Sequence, residues 1–116
     1  MNRKEQGKKG EEIASAYLIE NGYKILERNY TCPLGEIDII AKKDGRLVFI
    51  EVKYRKSKKF GSPLAAVDIR KIGRLKKIVD YYCMINKIKD CPLKIEVVGI
   101  TNGDKSDRIE HIKDIF

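Results

Sequence analysis

Asp44-Gly45 lies between two runs rich in Ile, Val and Phe, Glu36-Ile-Asp-Ile-Ile-Ala-Lys42 and Leu47-Val-Phe-Ile-Glu-Val-Lys-Tyr54. Asp-Gly readily adopts the two left-handed conformations of a tight hairpin turn, so the runs are predicted to pair as antiparallel strands. With these two residues as the turn, Lys43 faces Arg46 and the rest of the register follows. Ile37 then faces Val52, Ile39 faces Ile50 and Ala41 faces Val48, which makes one face apolar throughout. On the other face Ile40 opposes Phe49, Asp38 opposes Glu51 and Glu36 opposes Lys53. A slip of one residue would set apolar against charged positions, so the register is strongly specified.

Asp38 against Glu51 is the pair that points beyond folding. Directly opposed side chains have Cβ atoms about 5 Å apart, and like charges at that separation are destabilising. A cation between the two carboxylates would relieve the repulsion. A hard divalent ion with oxygen ligands suits them best, because Mg²⁺ is held by one or two carboxylates together with substrate phosphate oxygens. Lys53 projects from the same face one pleat beyond Glu51, and two carboxylates, a metal and an ammonium suit phosphodiester hydrolysis. The competing structural reading is a solvated polar patch at the sheet margin, satisfied by cross-strand ion pairs. Asp38 opposing Glu51 rather than a lysine argues against it.

The chain has 116 residues, which sets the scale at one domain spanning 1–116 with one core. Lys and Arg number 25 against 17 Asp and Glu, a formal net charge of +8. That excess suits a polyanionic partner, nucleic acid first and an anionic membrane surface second. No apolar run approaches the roughly 20 residues of a membrane span. The N-terminal Met-Asn-Arg-Lys-Glu-Gln-Gly-Lys-Lys-Gly has no apolar segment of a signal peptide, so a cytoplasmic protein is expected. Cys32, Cys83 and Cys91 show no zinc-ligand spacing and read as reduced packing residues. His111 reads as a structural or exposed histidine.

Around the hairpin the remaining elements fall into place. Residues 6–21 read as a helix with Ile13, Ala14, Tyr17 and Leu18 as its apolar stripe and Gly22 as its stop. A first strand is predicted over 23–30, a basic loop over 55–63, and a second helix over 65–86 with Ile72, Leu75, Ile78, Val79, Tyr82 and Ile85 at helical spacing. Strands over 93–100 and near 108–112 complete the order α-β-β-β-α-β-β. The fold class is therefore α/β, a mixed central sheet flanked by helices. On the first helix Glu11 lies about a quarter-turn from the centre of the stripe and Glu12 almost opposite it. Glu11 is placed to reach the edge of the carboxylate site, or equally to stabilise the first turn through the helix dipole.

An Asp on one strand and Glu-x-Lys on the next, after a helical Glu, resembles the PD-(D/E)xK nuclease pattern, carried here by Asp38 and Glu51-Val52-Lys53. A wider set is more specific: Gly7-x-x-Gly10-Glu11-x-x-Ala14-x-x-Tyr17-Leu18, Gly22-Tyr23, Asn29-Tyr30, Gly35-Glu36-Ile37-Asp38, Phe49 to Lys53 and Phe60-Gly61. Together these are similar to the YraN-like family of small bacterial proteins, over at least residues 7–82. That resemblance implies kinship with Holliday-junction resolvases and a restriction-endonuclease-like three-layer sandwich. It maps the family's metal positions onto Asp38 and Glu51, its lysine onto Lys53 and its helical acid onto Glu11. The chain departs from the fuller nuclease pattern at Ile37, where a proline would stand, and at Tyr54, which replaces a small or β-branched residue. Neither change removes a ligand, and Tyr54 should pack on the face opposite Lys53.

These readings combine into an expected metal-dependent endonuclease. Asp38, Glu51 and the backbone carbonyl of Val52 would hold Mg²⁺ or Mn²⁺, with Lys53 and Glu11 beside them. Arg55, Lys56, Lys58 and Lys59 in the loop, with Lys71 and Arg74 on the second helix, would contact backbone phosphates. DNA is favoured over RNA and branched DNA leads as substrate. A four-way junction has near two-fold symmetry, which is compatible with a homodimer. The alternatives are a nucleic-acid-binding module that keeps the site without turnover, and a scaffold whose basic face meets an acidic protein or membrane.

Overall fold

The computed structural model describes residues 2–56, 68–103, 105–113 and 115. The elements run α1 (Arg3–Glu20), β1 (Lys24–Cys32), β2 (Gly35–Lys43), β3 (Arg46–Arg55), α2 (Ile69–Ile85), β4 (Leu93–Thr101) and β5 (Arg108–Ile112). This is the predicted order. The strands form one sheet in the spatial order β1-β2-β3-β4-β5, antiparallel except for β3 beside β4.

The hairpin is built as its turn chemistry requires. Asp44 and Gly45 both have positive φ, 50° and 78°, and Lys43 pairs with Arg46, Ala41 with Val48, Ile40 with Phe49 and Ile39 with Ile50. α1 is capped by Asn2, whose side chain accepts the Glu5 N–H at 2.8 Å. It stops at Gly22 with φ 87°, where the Tyr23 N–H returns to the Leu18 carbonyl.

Two apolar layers hold the sheet between the helices. Ala14 and Leu18 of α1 pack with Ile39, Ala41, Val48, Ile50, Val98 and Ile100 on one face. Leu75, Ile78, Val79 and Tyr82 of α2 pack with Ile40, Phe49, Leu47 and Ile95 on the other. The result is the expected three-layer sandwich. Tyr54 joins the α1 layer, as its alternation predicts, and lies so close to Gly10 that a Cβ there would sit 2.9 Å from the Tyr54 Cβ.

Three expectations need correction. Ile37 was expected beside Ile39, but it is buried in the α2 layer with Ile40. The paired ladder of the hairpin ends at Ile39 and Ile50, so strict alternation no longer holds beyond it. On β1, Asn29 between the partners of Ile39 and Ile37 has φ 55°, which marks the same break. The second helix was expected from about residue 65, but its cap is Asp68, whose carboxylate accepts the Lys71 N–H at 2.9 Å; residues 65–67 lie outside the described residues. Ile85, expected in the stripe, is 55% exposed in the last turn, beyond the edge of the buried face.

Among the described residues no helix is long and apolar enough to cross a membrane.

Candidate functional site

Where the ladder between β2 and β3 stops, the chain places its acidic residues. Asp38 does not complete a cross-strand pair with Glu51. Its Oδ2 instead accepts the backbone N–H of Val52 at 2.7 Å. This bond holds the carboxylate against β3 just beyond the last paired residues of the hairpin.

Glu11, Glu36 and Asp38 converge, each offering a carboxylate oxygen within 4.8 Å of the others. Glu11 is half-buried and Glu12 exposed, the division that the helical geometry predicts. Glu36 was expected opposite Lys53, a pairing that requires the ladder to continue. Because the strands part before it, Glu36 turns towards Glu11 and Asp38 and becomes the acid that reading the spacing alone passes over.

The crowding shows in the proton affinity of Asp38. Burial, then the charge of Glu51, with smaller contributions from Glu11 and Glu36, raises its carboxyl group to about 7 against the Val52 hydrogen bond that lowers it. Lys71 is near enough for Asp38 to raise its own proton affinity, yet burial and the neighbouring acids prevail at Asp38.

Glu51 is 8% exposed and has cationic neighbours. Lys71 Nζ lies 3.1 Å from its Oε1 and Lys53 Nζ 3.5 Å from the same oxygen. Lys53 thus projects beside Glu51 as the strand pleat predicts. Lys71, expected on a phosphate, reaches back from the first turn of α2 into the carboxylate network. The Asp68 cap explains the reach, since it fixes the backbone of Lys71 at the helix start. The two ammonium groups compete. Burial and the hydrogen bond with Lys71 lower Lys53, against the charge of Glu51. Burial also acts to lower Lys71, but the Lys53 bond and Glu51 outweigh it and raise the group. Of the two, Lys53 holds its proton less tightly and Lys71 more tightly than an ordinary lysine.

Together these groups line a cleft of about 220 Å³ formed by Gly35, Glu36, Asp38, Glu51, Lys71 and Arg74 over Leu75 and Ile78. Arg74 is exposed on its rim. Gly35, with φ 140°, lies so close to α2 that a Cβ would meet the Ile78 Cδ1 at 3.0 Å. Of the loop cations, Arg55 is half-buried with its carbonyl accepting the Asn102 N–H, and Lys56 is exposed. Lys58 and Lys59 lie outside the described residues. His111, read as structural, has well-defined partners: its Nε2 is 2.8 Å from Glu96 and its Nδ1 3.0 Å from the Tyr17 hydroxyl, away from this cleft.

A family model described as "Uncharacterised protein family UPF0102" matches residues 10–100. A UPF0102 protein of Thermodesulfovibrio yellowstonii is 48% identical over 116 residues, covering 100% of this chain and 99% of its own. One from Caldicellulosiruptor saccharolyticus is 42% identical over 110 residues, covering 95% of this chain and 93% of its own. One from Clostridioides difficile is 40% identical over 116 residues and covers both chains completely.

Proposed function

The chain belongs to the UPF0102 (YraN-like) family, and within that frame we propose that it is a divalent-metal-dependent endonuclease that hydrolyses phosphodiester bonds in DNA, with branched DNA as the leading substrate. The observation that carries this reading is Asp38: a half-buried carboxyl group whose oxygen lies within 4.8 Å of those of Glu11 and Glu36, and which burial and Glu51 raise to about 7. An uncompensated acidic centre weakens the fold, and a hard cation is the ligand that relieves it. The donors present fit Mg²⁺ or Mn²⁺, being carboxylate oxygens without sulfur or imidazole among them. Asp38 would hold the ion with Glu51 and the Val52 carbonyl, and Glu11 and Glu36 would complete or flank that set. When bound, the ion supplies charge neutralisation at a phosphate oxygen and acidifies bound water.

The chain's own groups supply the rest. Lys53, ion-paired beside Glu51, would orient the attacking water or stabilise the developing negative charge. The water oxygen would bond to phosphorus as the ester P–O bond breaks, its proton passing to solvent and the departing oxygen taking a proton from solvent. Lys71 would keep a positive charge beside the phosphate while Glu51 serves the ion, and Arg74 on the rim would hold a neighbouring phosphate. The Asp38 and Glu51-Val52-Lys53 pattern, shared with the PD-(D/E)xK nucleases, supports the same assignment.

A nucleic-acid-binding module without turnover is the second reading. Its support is that Lys71 and Lys53 already neutralise Glu51 without a metal.

Calorimetric titration of Mg²⁺ and Mn²⁺ into the wild type and Asp38→Asn, beside cleavage of a labelled four-way junction, separates the two. Metal binding and cleavage that both disappear in the variant support the nuclease. A wild type that binds the junction but takes up no metal, even with DNA present, leaves the binding module.

A further inference from the structure

Beyond the acidic centre the surface continues as a larger cleft of about 760 Å³, and Glu11 and Glu36 belong to both. Its far wall carries Lys4 and Lys8 from the start of α1 and Arg28 from the outer strand β1. Among the described residues none of these three takes part in an ion pair. Lys71 and Arg74 line the smaller cleft, which shares Glu36 with this one. Cations therefore lie in both clefts that meet at the carboxylates, a distribution suited to a polyanion whose charge is met along its length and whose middle sits over a metal.

Gly7 adds an independent observation. It lies inside α1, where glycine is a poor choice for helix stability. Gly10 is explained by the approach of Tyr54, but a Cβ at Gly7 would meet nothing within 4 Å. Packing does not require this glycine, and it leaves the helix surface bare in the cleft, one turn from Lys4 and beside Lys8. Bare backbone between two cations is a place where a bulky anionic chain can lie close.

We propose that the Lys4, Gly7, Lys8 and Arg28 cleft is the second half of a nucleic-acid track, which carries the phosphodiester backbone of the strand away from Asp38 and Glu51. The proposal rests on the nuclease reading, because Glu11, Glu12 and Glu36 would repel phosphate unless a metal offsets them. Binding to this half of the track therefore requires a divalent ion.

The test is fluorescence anisotropy of a labelled four-way DNA junction in Ca²⁺, chosen to support binding without cleavage, over a range of salt. Proteins compared are the wild type, the triple variant Lys4→Ala/Lys8→Ala/Arg28→Ala, a charge-matched control Lys77→Ala/Lys89→Ala/Lys105→Ala, and Gly7→Leu. The track variant should bind at least about tenfold more weakly than the control, with a salt slope shallower by roughly two. Gly7→Leu should melt no lower than the wild type, since leucine is the better helix former, yet bind more weakly. A wild type that binds the junction, with track and control variants alike and Gly7→Leu unaffected, overturns the track while leaving the site in place. A wild type that binds no DNA removes the nuclease reading and the track together.

Discussion

Two acids of one sheet, a buried one on β4 and a half-buried one on β2, have opposite surroundings. Glu96 on β4 is 5% exposed and accepts a hydrogen bond from the Tyr23 hydroxyl at 2.8 Å, while His111 Nε2 lies 2.8 Å from the same oxygen. Asp38 on β2 has one backbone donor and other carboxylates around it. Burial, followed by the hydrogen bond to Glu96, raises the Tyr23 hydroxyl above the ordinary tyrosine range, so donor and acceptor keep their roles. The first acid is part of the fold's own polar core. The second is held in a state the fold does not complete, and such unfinished electrostatics mark functional sites more often than structural ones.

The largest effect should come from breaking the incomplete site. Asp38→Asn is expected to lower junction cleavage by about a thousandfold or more, and Lys53→Ala by roughly a hundredfold or more, in single-turnover assays. Equal cleavage by the wild type and both variants would remove the contrast between the acids.

Next comes stability, where the two acids should differ in sign. Glu96→Ala leaves the Tyr23 hydroxyl and His111 without their shared partner and is expected to cost about 3 kcal/mol in urea unfolding. Asp38→Asn should instead stabilise the metal-free protein near pH 8, by about 1–2 kcal/mol. The sign follows from proton linkage. The Asp38 carboxyl moves from 3.8 to about 7 in the fold, so between those values the folded chain holds a proton that the unfolded chain has released. Its stabilising contribution is complete below about pH 4 and is lost as the pH rises through about 7. The wild type should therefore weaken over that range more than Asp38→Asn does, and saturating Mn²⁺ should reverse their order. Parallel pH profiles for the two proteins would show that the crowding at Asp38 is without consequence.

The smallest expected effect sharpens the same contrast between completed and open packing. Gly10→Ala brings a Cβ against Tyr54 and should cost about 1–2 kcal/mol.

The sequence made the finished half of the molecule easier to read than the unfinished half. The Asp44-Gly45 turn and period-two alternation identify the hairpin register because both are local. Gly22 and the stripe on α1 identify the first helix and the reach of Glu11 for the same reason. Ile37 and Glu36 were misplaced because alternation assumes a continuous ladder, whereas the pairing of β2 with β3 stops at Ile39 and Ile50, beside the bond from Val52 N–H to Asp38. Lys71 was assigned to a phosphate because no spacing rule links a helix start to a strand twenty residues earlier. The partners of His111 were hidden likewise, since Glu96 and Tyr17 come from separate elements. A buried glutamate on an otherwise apolar strand was the available signal there.

The parallel pairing of β3 and β4 bears on how the chain reaches this state. Leu47 aligns with Leu93 across a connection that includes all of α2, whereas the hairpin closes over two residues. A hairpin forms in about 1–10 μs, while a distant parallel strand must first meet the entropy of closing a long loop. Lys71 and Glu96 both belong to the distant segment. A chain collapsed only as far as β3 would hold Asp38 and Glu51 with neither Lys71 nor the neighbouring β4. The acidic wall of the cleft thus belongs to the locally connected part of the chain, and its cationic wall, Lys71 and Arg74, to the segment that must close the longer loop.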